Sequence, residues 1–303
     1  MQLERFDALS DNLKGATLLM VAAFLLTLSV ALIKLAGSRL PVAQILFCRQ
    51  MGMLLCLSPA LIKSVPDVVS TKRPGLQLVR IFFALVALFG GYTAVIHMPL
   101  ADAMAIGFAK SFFVTVFAVM LLGEKVGRYR WGAVAIGFVG VAIMLKPDVN
   151  GFNIYGLYAL FGAAAAGIVM VIIRILTRTE TSQSILAFQA LGVGAVMLVP
   201  ALTTWVAPTP EEWMLLLLIG VVSYFAQASN IYAYKHGEAS LLASLDYVRL
   251  LYATVLGYLL FQQLPQLTTW IGATIIIAAA IFTVYRESQV KQTITSAPAG
   301  RDL

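Results

Sequence analysis

The sequence predicts an all-α integral membrane protein of ten transmembrane helices, built as two inverted five-helix repeats. Three observations predict this class: the composition, the number of long apolar segments, and a similarity between the two halves of the chain. Of the 303 residues, 60% are hydrophobic and only 12% are charged, and the mean hydropathy is +0.90. Soluble domains average about 45–50% apolar and about 25% charged residues, so a soluble class is excluded.

Ten segments are apolar and long enough to cross a bilayer, which takes about 20 residues. Short segments that contain charges, Gly or Pro separate them. The predicted spans are residues 14–35, 41–62, 75–97, 99–122, 129–146, 153–175, 183–204, 212–234, 238–261 and 267–285. These group into five-helix units at 14–146 and 153–285, after an N-terminal segment 1–13. The polar tail 286–303 is expected to be disordered.

The positive charges orient the spans. If the N-terminus is cytoplasmic, only Lys34, Arg39 and Lys146 of the 21 Lys and Arg residues fall in segments on the opposite side. Cytoplasmic loops of membrane proteins are enriched in Lys and Arg. Both termini are therefore expected in the cytoplasm of a bacterium, with the chain in the inner membrane. The same rule accounts for the net charge of +7 without a nucleic-acid partner, which leaves the bilayer and a small molecule as expected partners.

The second half of the chain echoes the first at an offset near 139 residues. The matched pairs are His97 with His236, Phe108 with Tyr247, Lys110 with Arg249, Glu124 with Gln263 and Trp131 with Trp270, and, at an offset of 140, Lys34 with Arg174. Because each half has an odd number of spans, the second half enters the membrane in the opposite direction. Inverted repeats are typical of secondary carriers, whose site lies near the midplane between the halves.

Charged residues inside the spans are the main candidates for a site, because each costs on the order of 2.5–3.5 kcal/mol at the bilayer centre. Lys110 lies eleven residues past Pro99, and Arg249 eleven past Glu238. Both are therefore roughly 17 Å into the membrane, where they could bind a carboxylate, a phosphate or carbonyl oxygens. Asp246 shares a helix face with Arg249. It either belongs to the substrate site or neutralises Arg249 or Lys110 and joins two helices.

Two further arginines and several aromatic and amide side chains accompany these charges. Arg49, at intermediate depth, serves the site or holds the carbonyl groups of a neighbouring helix. Arg80, six residues past Pro74, is expected to extend to the membrane interface. The aromatic and amide candidates are Tyr92, Phe108, Tyr247, Tyr252, Gln227 and Asn230. Such side chains would suit a flat heteroaromatic or amphipathic ligand.

Small residues in residues 132–140 and 162–167 predict close helix packing, and some of them could mediate a homodimer. Motifs for catalysis are absent from the sequence: it has no HExxH, no clustered acids for a metal, and no nucleophile paired with a base. We therefore expect no enzyme, no metal and no cofactor. There is also no ATP-binding loop, so transport would not be driven directly by ATP.

Three stretches carry a family resemblance: residues 99–108 (PLADAMAIGF), 121–131 (LLGEKVGRYRW) and 137–141 (GFVGV). They resemble the EamA-type repeat of the drug/metabolite transporter superfamily, and the resemblance covers both halves, roughly residues 14–285. It implies ten helices in two inverted repeats around a central cavity that opens to one side at a time. Residues 244–261 are similar to a branch that includes bacterial riboflavin and S-adenosylmethionine carriers. Lys110-Ser111 departs from the small residue and proline of many relatives, and Gln262-Gln263 from their Gly-Glu.

The function expected from these features is secondary transport of a small organic metabolite by alternating access. The leading expectation is riboflavin-type vitamin uptake, in which aromatic side chains stack on the ligand. The alternative is a carrier or exporter of an amino-acid-like or S-adenosylmethionine-like carboxylate, which would bind Lys110 or Arg249. A different class, a channel or structural membrane subunit, is disfavoured by the inverted repeat.

Overall fold

A computed structural model describes residues 11–63, 70–124, 126–145, 153–236, 242 and 245–295. Every regular element in these ranges is a helix. The helices are α1 (Asp11–Ala36), α2 (Val42–Lys63), α3 (Pro74–His97), α4 (Leu100–Gly107), α5 (Lys110–Leu122), α6 (Arg128–Leu145), α7 (Ile154–Leu176), α8 (Ser182–Thr203), α9 (Pro210–His236), α10 (Val248–Phe261) and α11 (Leu267–Thr295).

These helices account for the ten predicted spans. Eight described segments are long and apolar enough to cross a membrane, and one of them, Leu100–Leu122, contains both α4 and α5. The segments Val248–Phe261 and Leu267–Thr283 are shorter apolar helices that complete the count. The predicted fold class, an all-α membrane protein of ten helices in two repeats, is therefore confirmed.

The fourth and ninth spans are interrupted, whereas the sequence predicted an unbroken helix for each. The fourth breaks between α4 and α5, where the Ala109 amide donates to the Ile106 carbonyl at 2.9 Å. The ninth breaks just before α10, where the Arg249 amide donates to the Asp246 carbonyl at 3.2 Å. Both bonds join residues three apart, which tightens the turn and interrupts the regular α-helical ladder. The two breaks lie at matching positions of the two repeats.

The packing of the helices has the symmetry expected of an inverted repeat. α1 packs against α9 and α3 against α7, which are equivalent pairs when the halves are exchanged. α6 packs against α11 and α2 against α8, and each of these pairs maps onto itself. The contacts of α5 with α7 and of α10 with α1 are likewise equivalent. α4 and α10, which adjoin the two breaks, also pack against each other.

Glycines allow the closest of these contacts. A Cβ on Gly140 would lie 2.8 Å from the carbonyl oxygen of Gly272, and a Cβ on Gly52 would lie 2.8 Å from Cα of Gly220. Both distances are below any ordinary contact, so only glycine lets these backbones approach so closely. The close packing predicted for the small residues of the fifth span is thus confirmed at Gly140.

The last helix is longer than predicted. α11 continues to Thr295, so residues 286–295 are helical rather than disordered. The sequence has no Gly or Pro between Gly272 and Pro298, and Glu, Gln and Lys in this stretch favour a helix. Residues 296–303, the rest of the predicted tail, lie outside the described residues.

Candidate functional site

A cavity of about 230 Å³ lies where the two halves meet. It is formed by side chains of α1, α3, α4, α5, α7 and α10, and the ends of α4, α5 and α10 at the two helix breaks contribute to it. Its lining residues are Val30, Ala87, Gly91, Tyr92, Val95, Ala103, Met104, Gly107, Phe108, Lys110, Ala159, Gly162, Ala163, Ala166 and Arg249.

Two cations and one acid converge on this cavity. Lys110 begins α5 and Arg249 lies in the first turn of α10, so each follows a break, and both line the cavity. Arg249 forms an ion pair with Asp246, with 2.6 Å between Nη2 and Oδ1. Lys110 lines the same cavity as Arg249, but the described residues give its ammonium group no hydrogen bond or ion pair. The arrangement has an excess positive charge that faces the cavity.

Aromatic side chains lie beside the charges. The rings of Phe108 and Tyr247 are 4.9 Å apart and tilted by 49°, a geometry favourable for aromatic pairs. Phe108 and Tyr92 line the cavity directly. The guanidinium of Arg49 lies 5.9 Å from the centre of the Tyr92 ring, within the range of a cation–π contact. Seven of the ten residues predicted for the site therefore gather in one region: Lys110, Arg249, Asp246, Arg49, Phe108, Tyr247 and Tyr92.

Arg49 is buried and held by side chains, not by the carbonyl groups that were one of its two expected uses. Its Nε donates to Ser223 at 2.9 Å and its Nη1 to Gln50 at 2.8 Å. Ser223 in turn shares a hydrogen bond of 2.6 Å with Ser29. This network fixes Arg49 next to Tyr92 and joins α1, α2 and α9.

Arg80 does not reach the membrane interface as predicted, because it is fully buried. Its Nη1 donates to the Ile185 carbonyl at 2.9 Å and its Nη2 to the Gln189 side chain at 2.7 Å. Gln77 accepts a further bond from it and donates to Glu180. The distance of Arg80 from the start of α3 misled the prediction, since these acceptors on α8 satisfy the charge inside the protein.

The remaining three predicted residues lie elsewhere. Tyr252 packs edge to face against Phe24 at 5.6 Å, away from the cavity lining. Gln227 is 3.7 Å from the sulfur of Met53. Asn230 has a buried side-chain oxygen without a hydrogen-bond partner in the described part of the chain. The cavity as described does not include these three.

Several lining residues were not among the sequence candidates. Gly91 and Gly107 have no side chain to attract attention, and Ala163 and Ala166 belong to the small-residue run that was assigned to packing alone. Of these, Gly107 could have been found from the repeat, because an offset of 139 places it opposite Asp246.

Each end of the molecule has a cation that bonds a neighbouring segment, and these two cations, Lys34 and Arg174, correspond in the repeat. At the face where α1 ends, Lys34 donates to the carbonyls of Val95 at 2.8 Å and Met98 at 2.7 Å, and it lies 5.4 Å from the Phe261 ring. At the opposite face, Arg174 pairs with Glu124 at 2.6 Å.

Asp102 lies in the first turn of α4 and accepts a hydrogen bond of 2.7 Å from Thr269 on α11. Among the described residues, no three His, Cys, Asp or Glu side chains are close enough to share a metal ion. The groups that face the cavity are an ammonium, a guanidinium, aromatic rings and bare backbone, which can contact an organic molecule directly.

Comparison with known proteins gives one family for the whole chain. The model of the EamA-like transporter family matches residues 13–146 and again residues 153–285. The chain is 27% identical over 286 residues to an S-adenosylmethionine uptake transporter of Rickettsia prowazekii, covering 93% of this chain and 96% of the relative.

Two other relatives have different transported compounds in their names. The pseudopaline exporter CntI of Pseudomonas aeruginosa is 31% identical over 276 residues, covering 89% of this chain and 96% of the relative. A riboflavin transporter of Brucella anthropi is 28% identical over 269 residues, covering 85% and 94%. The two matches to the family model, one in each half, together with these full-length similarities, show that the chain belongs to the EamA-like transporter family of membrane proteins that carry small metabolites.

Proposed function

We propose that this protein is a secondary carrier that moves a small organic metabolite with a negatively charged group, such as a carboxylate, by alternating access. The observation that supports it best is the charge of the cavity: Lys110 and Arg249 line it, and Asp246, paired with Arg249, is the acid that the described residues place beside them. A ligand that brings one negative charge would neutralise the site and give Lys110 the partner that the described residues do not supply. An amino-acid-like compound such as S-adenosylmethionine supplies a carboxylate for Lys110, but its ammonium and sulfonium groups bring two positive charges, which would have to lie away from the two cations of the site.

A riboflavin-type substrate is the second candidate, and the aromatic pair favours it. Phe108 and Tyr247 offer ring faces next to the cavity, and a flat heterocycle can stack on such rings. In that case Lys110 and Arg249 would donate hydrogen bonds to carbonyl oxygens of the ligand. The basic residues would then contribute less, because a hydrogen bond to a neutral acceptor is weaker than one to a carboxylate.

The proposal also includes the arrangement in the cell. The distribution of Lys and Arg supports a position in the bacterial inner membrane with both termini in the cytoplasm. In that orientation the Arg174–Glu124 pair is on the cytoplasmic side and Lys34 is on the outer side. The chain would act without cofactor or metal, and its function would be transport rather than catalysis.

The test is the thermal stability of the purified protein against S-adenosylmethionine, methionine and riboflavin, with Lys110→Ala and Arg249→Ala in parallel. A ligand that binds only the folded protein raises its melting temperature. We expect a carboxylate-bearing ligand to stabilise the wild type and to lose this effect in both variants. If riboflavin alone stabilises all three proteins, the second candidate is correct. If a ligand that carries a carboxylate stabilises the wild type and both variants equally, Lys110 and Arg249 are structural and the proposed site is wrong.

A further inference from the structure

Two glycines of the cavity wall leave open space beside them: among the described residues, a side chain at either would meet no neighbouring atom. Gly91 on α3 and Gly107 at the end of α4 both line the cavity. A Cβ at either position would have no heavy atom within 4 Å, apart from its chain neighbours and the backbone of its own helix. Gly90, the neighbour of Gly91, is different, because its Cβ would lie 2.9 Å from the Tyr158 carbonyl oxygen. Gly90 is therefore required for packing, whereas packing does not require Gly91 or Gly107.

The repeat shows what stands at these positions in the other half. At the offset of 139, Gly91 corresponds to Asn230 and Gly107 corresponds to Asp246. Asn230 has a buried side-chain oxygen without a partner in the described residues, and Asp246 holds Arg249. One half thus presents polar side chains at two positions where the other presents bare backbone.

Gly91 and Gly107 lie next to a further glycine and an aromatic ring of the cavity lining. Gly162 of α7 also lines the cavity and packs directly against Gly91, since its Cβ would lie 3.0 Å from the Gly91 nitrogen. Phe108, next to Gly107, adds an aromatic ring to the same lining. The wall formed by α3, α4 and α7 therefore has bare backbone at Gly91, Gly107 and Gly162 between larger side chains such as Tyr92 and Phe108. Lys110 lies at its edge, three residues past Gly107.

We infer that Gly91 and Gly107 are specificity-determining positions, which leave room for a planar apolar part of the substrate while its anionic group meets Lys110 and Arg249. The substrate class is then an organic acid that carries a planar ring, which rests on the proposed function of the same site. In a cavity of about 230 Å³, a methyl or isopropyl group at either position would occupy space that such a ring needs. A compact acid without a ring would be affected much less.

The first test is a graded series at each position: Gly91→Ala, Gly91→Val, Gly107→Ala and Gly107→Val. The matched control is Gly132→Val on α6, where a Cβ also meets nothing within 4 Å but the residue is exposed on the outer surface. Alanine favours a helix over glycine, so the alanine variants should fold as well as the wild type. We expect binding of S-adenosylmethionine or riboflavin, measured by thermal shift, to weaken progressively and by at least tenfold in the valine variants. The control should bind normally, and equal affinity in all variants would overturn the inference.

The second test needs no ligand and separates this inference from the proposed function. In a background with Cys48→Ser and Cys56→Ser, single cysteines are introduced as Gly91→Cys, Gly107→Cys and, as a control, Val139→Cys, which is exposed on the outside of α6. Permeabilised membranes are then treated with a sulfonate-bearing methanethiosulfonate. Modification at 91 and 107, but not at the lipid-facing 139, supports a water-filled wall at the glycines. If 91 and 107 are as inert as 139, the inference fails, even if the carrier transports an acid.

Discussion

Asp246 and Arg249 form an ion pair with 2.6 Å between Oδ1 and Nη2, at the break in the ninth span. In the first repeat the corresponding positions hold Gly107 and Lys110. The same local structure therefore has an internal counter-ion in one half and none in the other. This difference concentrates unbalanced positive charge on the Lys110 side of the cavity. It also means that the two halves contact a ligand in different ways despite their common fold.

Asp246 and Arg249 should be energetically coupled, so that the effects of replacing them on the free energy of unfolding do not add. Replacing Asp246 by Asn leaves Arg249 without its counter-ion, and the described side chains offer no second acid in hydrogen-bond contact with it. We expect a loss below the roughly 3–5 kcal/mol of a fully buried pair, because the cavity gives Arg249 some access to water. The double variant Asp246→Asn/Arg249→Gln should recover most of the loss. Thermal unfolding of the two single variants and of the double variant measures this recovery. A double variant whose loss of stability equals the sum of the losses in the two single variants would contradict the coupling.

The buried Arg80 should be essential for folding and not for ligand recognition. Arg80→Gln removes the donor that Ile185, Gln189 and Gln77 share, and each buried acceptor left without a donor costs about 1–3 kcal/mol. Arg80→Lys should recover little, since an ammonium cannot reproduce the planar fork of the guanidinium. Urea or thermal unfolding in detergent measures the effect.

The matched control for Arg80 is Arg174→Gln. The Arg174 side chain is 59% exposed, and an exposed ion pair contributes at most about 1 kcal/mol. Equal destabilisation by the substitutions at 80 and 174 would show that the buried network of Arg80 has no special weight.

Gln262 ends α10 with a φ of 54°, at the position where the first repeat has Gly123 with a φ of 65°. A left-handed backbone costs a residue with a side chain about 1 kcal/mol relative to glycine. We therefore expect Gln262→Gly to raise the stability by about this amount, and Gly123→Ala to lower it similarly. A melting temperature that falls in Gln262→Gly would mean that the Gln262 side chain contributes more than the backbone strain costs.

The repeat-related cations at the two faces should control access to the cavity. Glu124→Gln removes the partner of Arg174, and Lys34→Met removes the bonds that Lys34 makes to α3. Each change is made in a Gly107→Cys background, and the rate of modification of that cysteine is measured. The rate should rise several-fold when the reagent is added from the face that carries the changed residue, and should not change when it is added from the opposite face. The effect would arise because each cation holds one face closed. Identical labelling rates from both faces in all variants would rule out this role.

The sequence was sufficient for the fold, and it singled out several residues that the structure brings together around one cavity. The apolar segments gave ten spans, and the offset of 139 identified Lys110 and Arg249 as equivalent, a relation that the cavity lining supports. Phe108 and Tyr247 followed from the same offset. These predictions succeed because membrane spans and repeats are recorded directly in the order of residues.

Other features depend on contacts between distant segments and could not be read from spacing. The burial of Arg80 depends on acceptors on α8, more than a hundred residues away. The helix breaks are not marked by a Pro, and they arise from tight turns in which the amides of Ala109 and Arg249 donate to carbonyl groups three residues earlier. Bare wall positions such as Gly91 give no signal in a single sequence, because a glycine needed for packing and one needed for space look the same.

The most direct test of the central claim is counterflow in proteoliposomes loaded with unlabelled S-adenosylmethionine or riboflavin, with wild type and Lys110→Ala side by side. A carrier with the proposed site should take up the labelled compound in a saturable way, faster when the vesicles contain the same compound. For S-adenosylmethionine, uptake by Lys110→Ala should be at least tenfold slower than uptake by the wild type, which corresponds to a free-energy difference of about 1.4 kcal/mol. Uptake that rises linearly with concentration and ignores the internal compound would contradict a carrier, and full activity of Lys110→Ala would contradict the site.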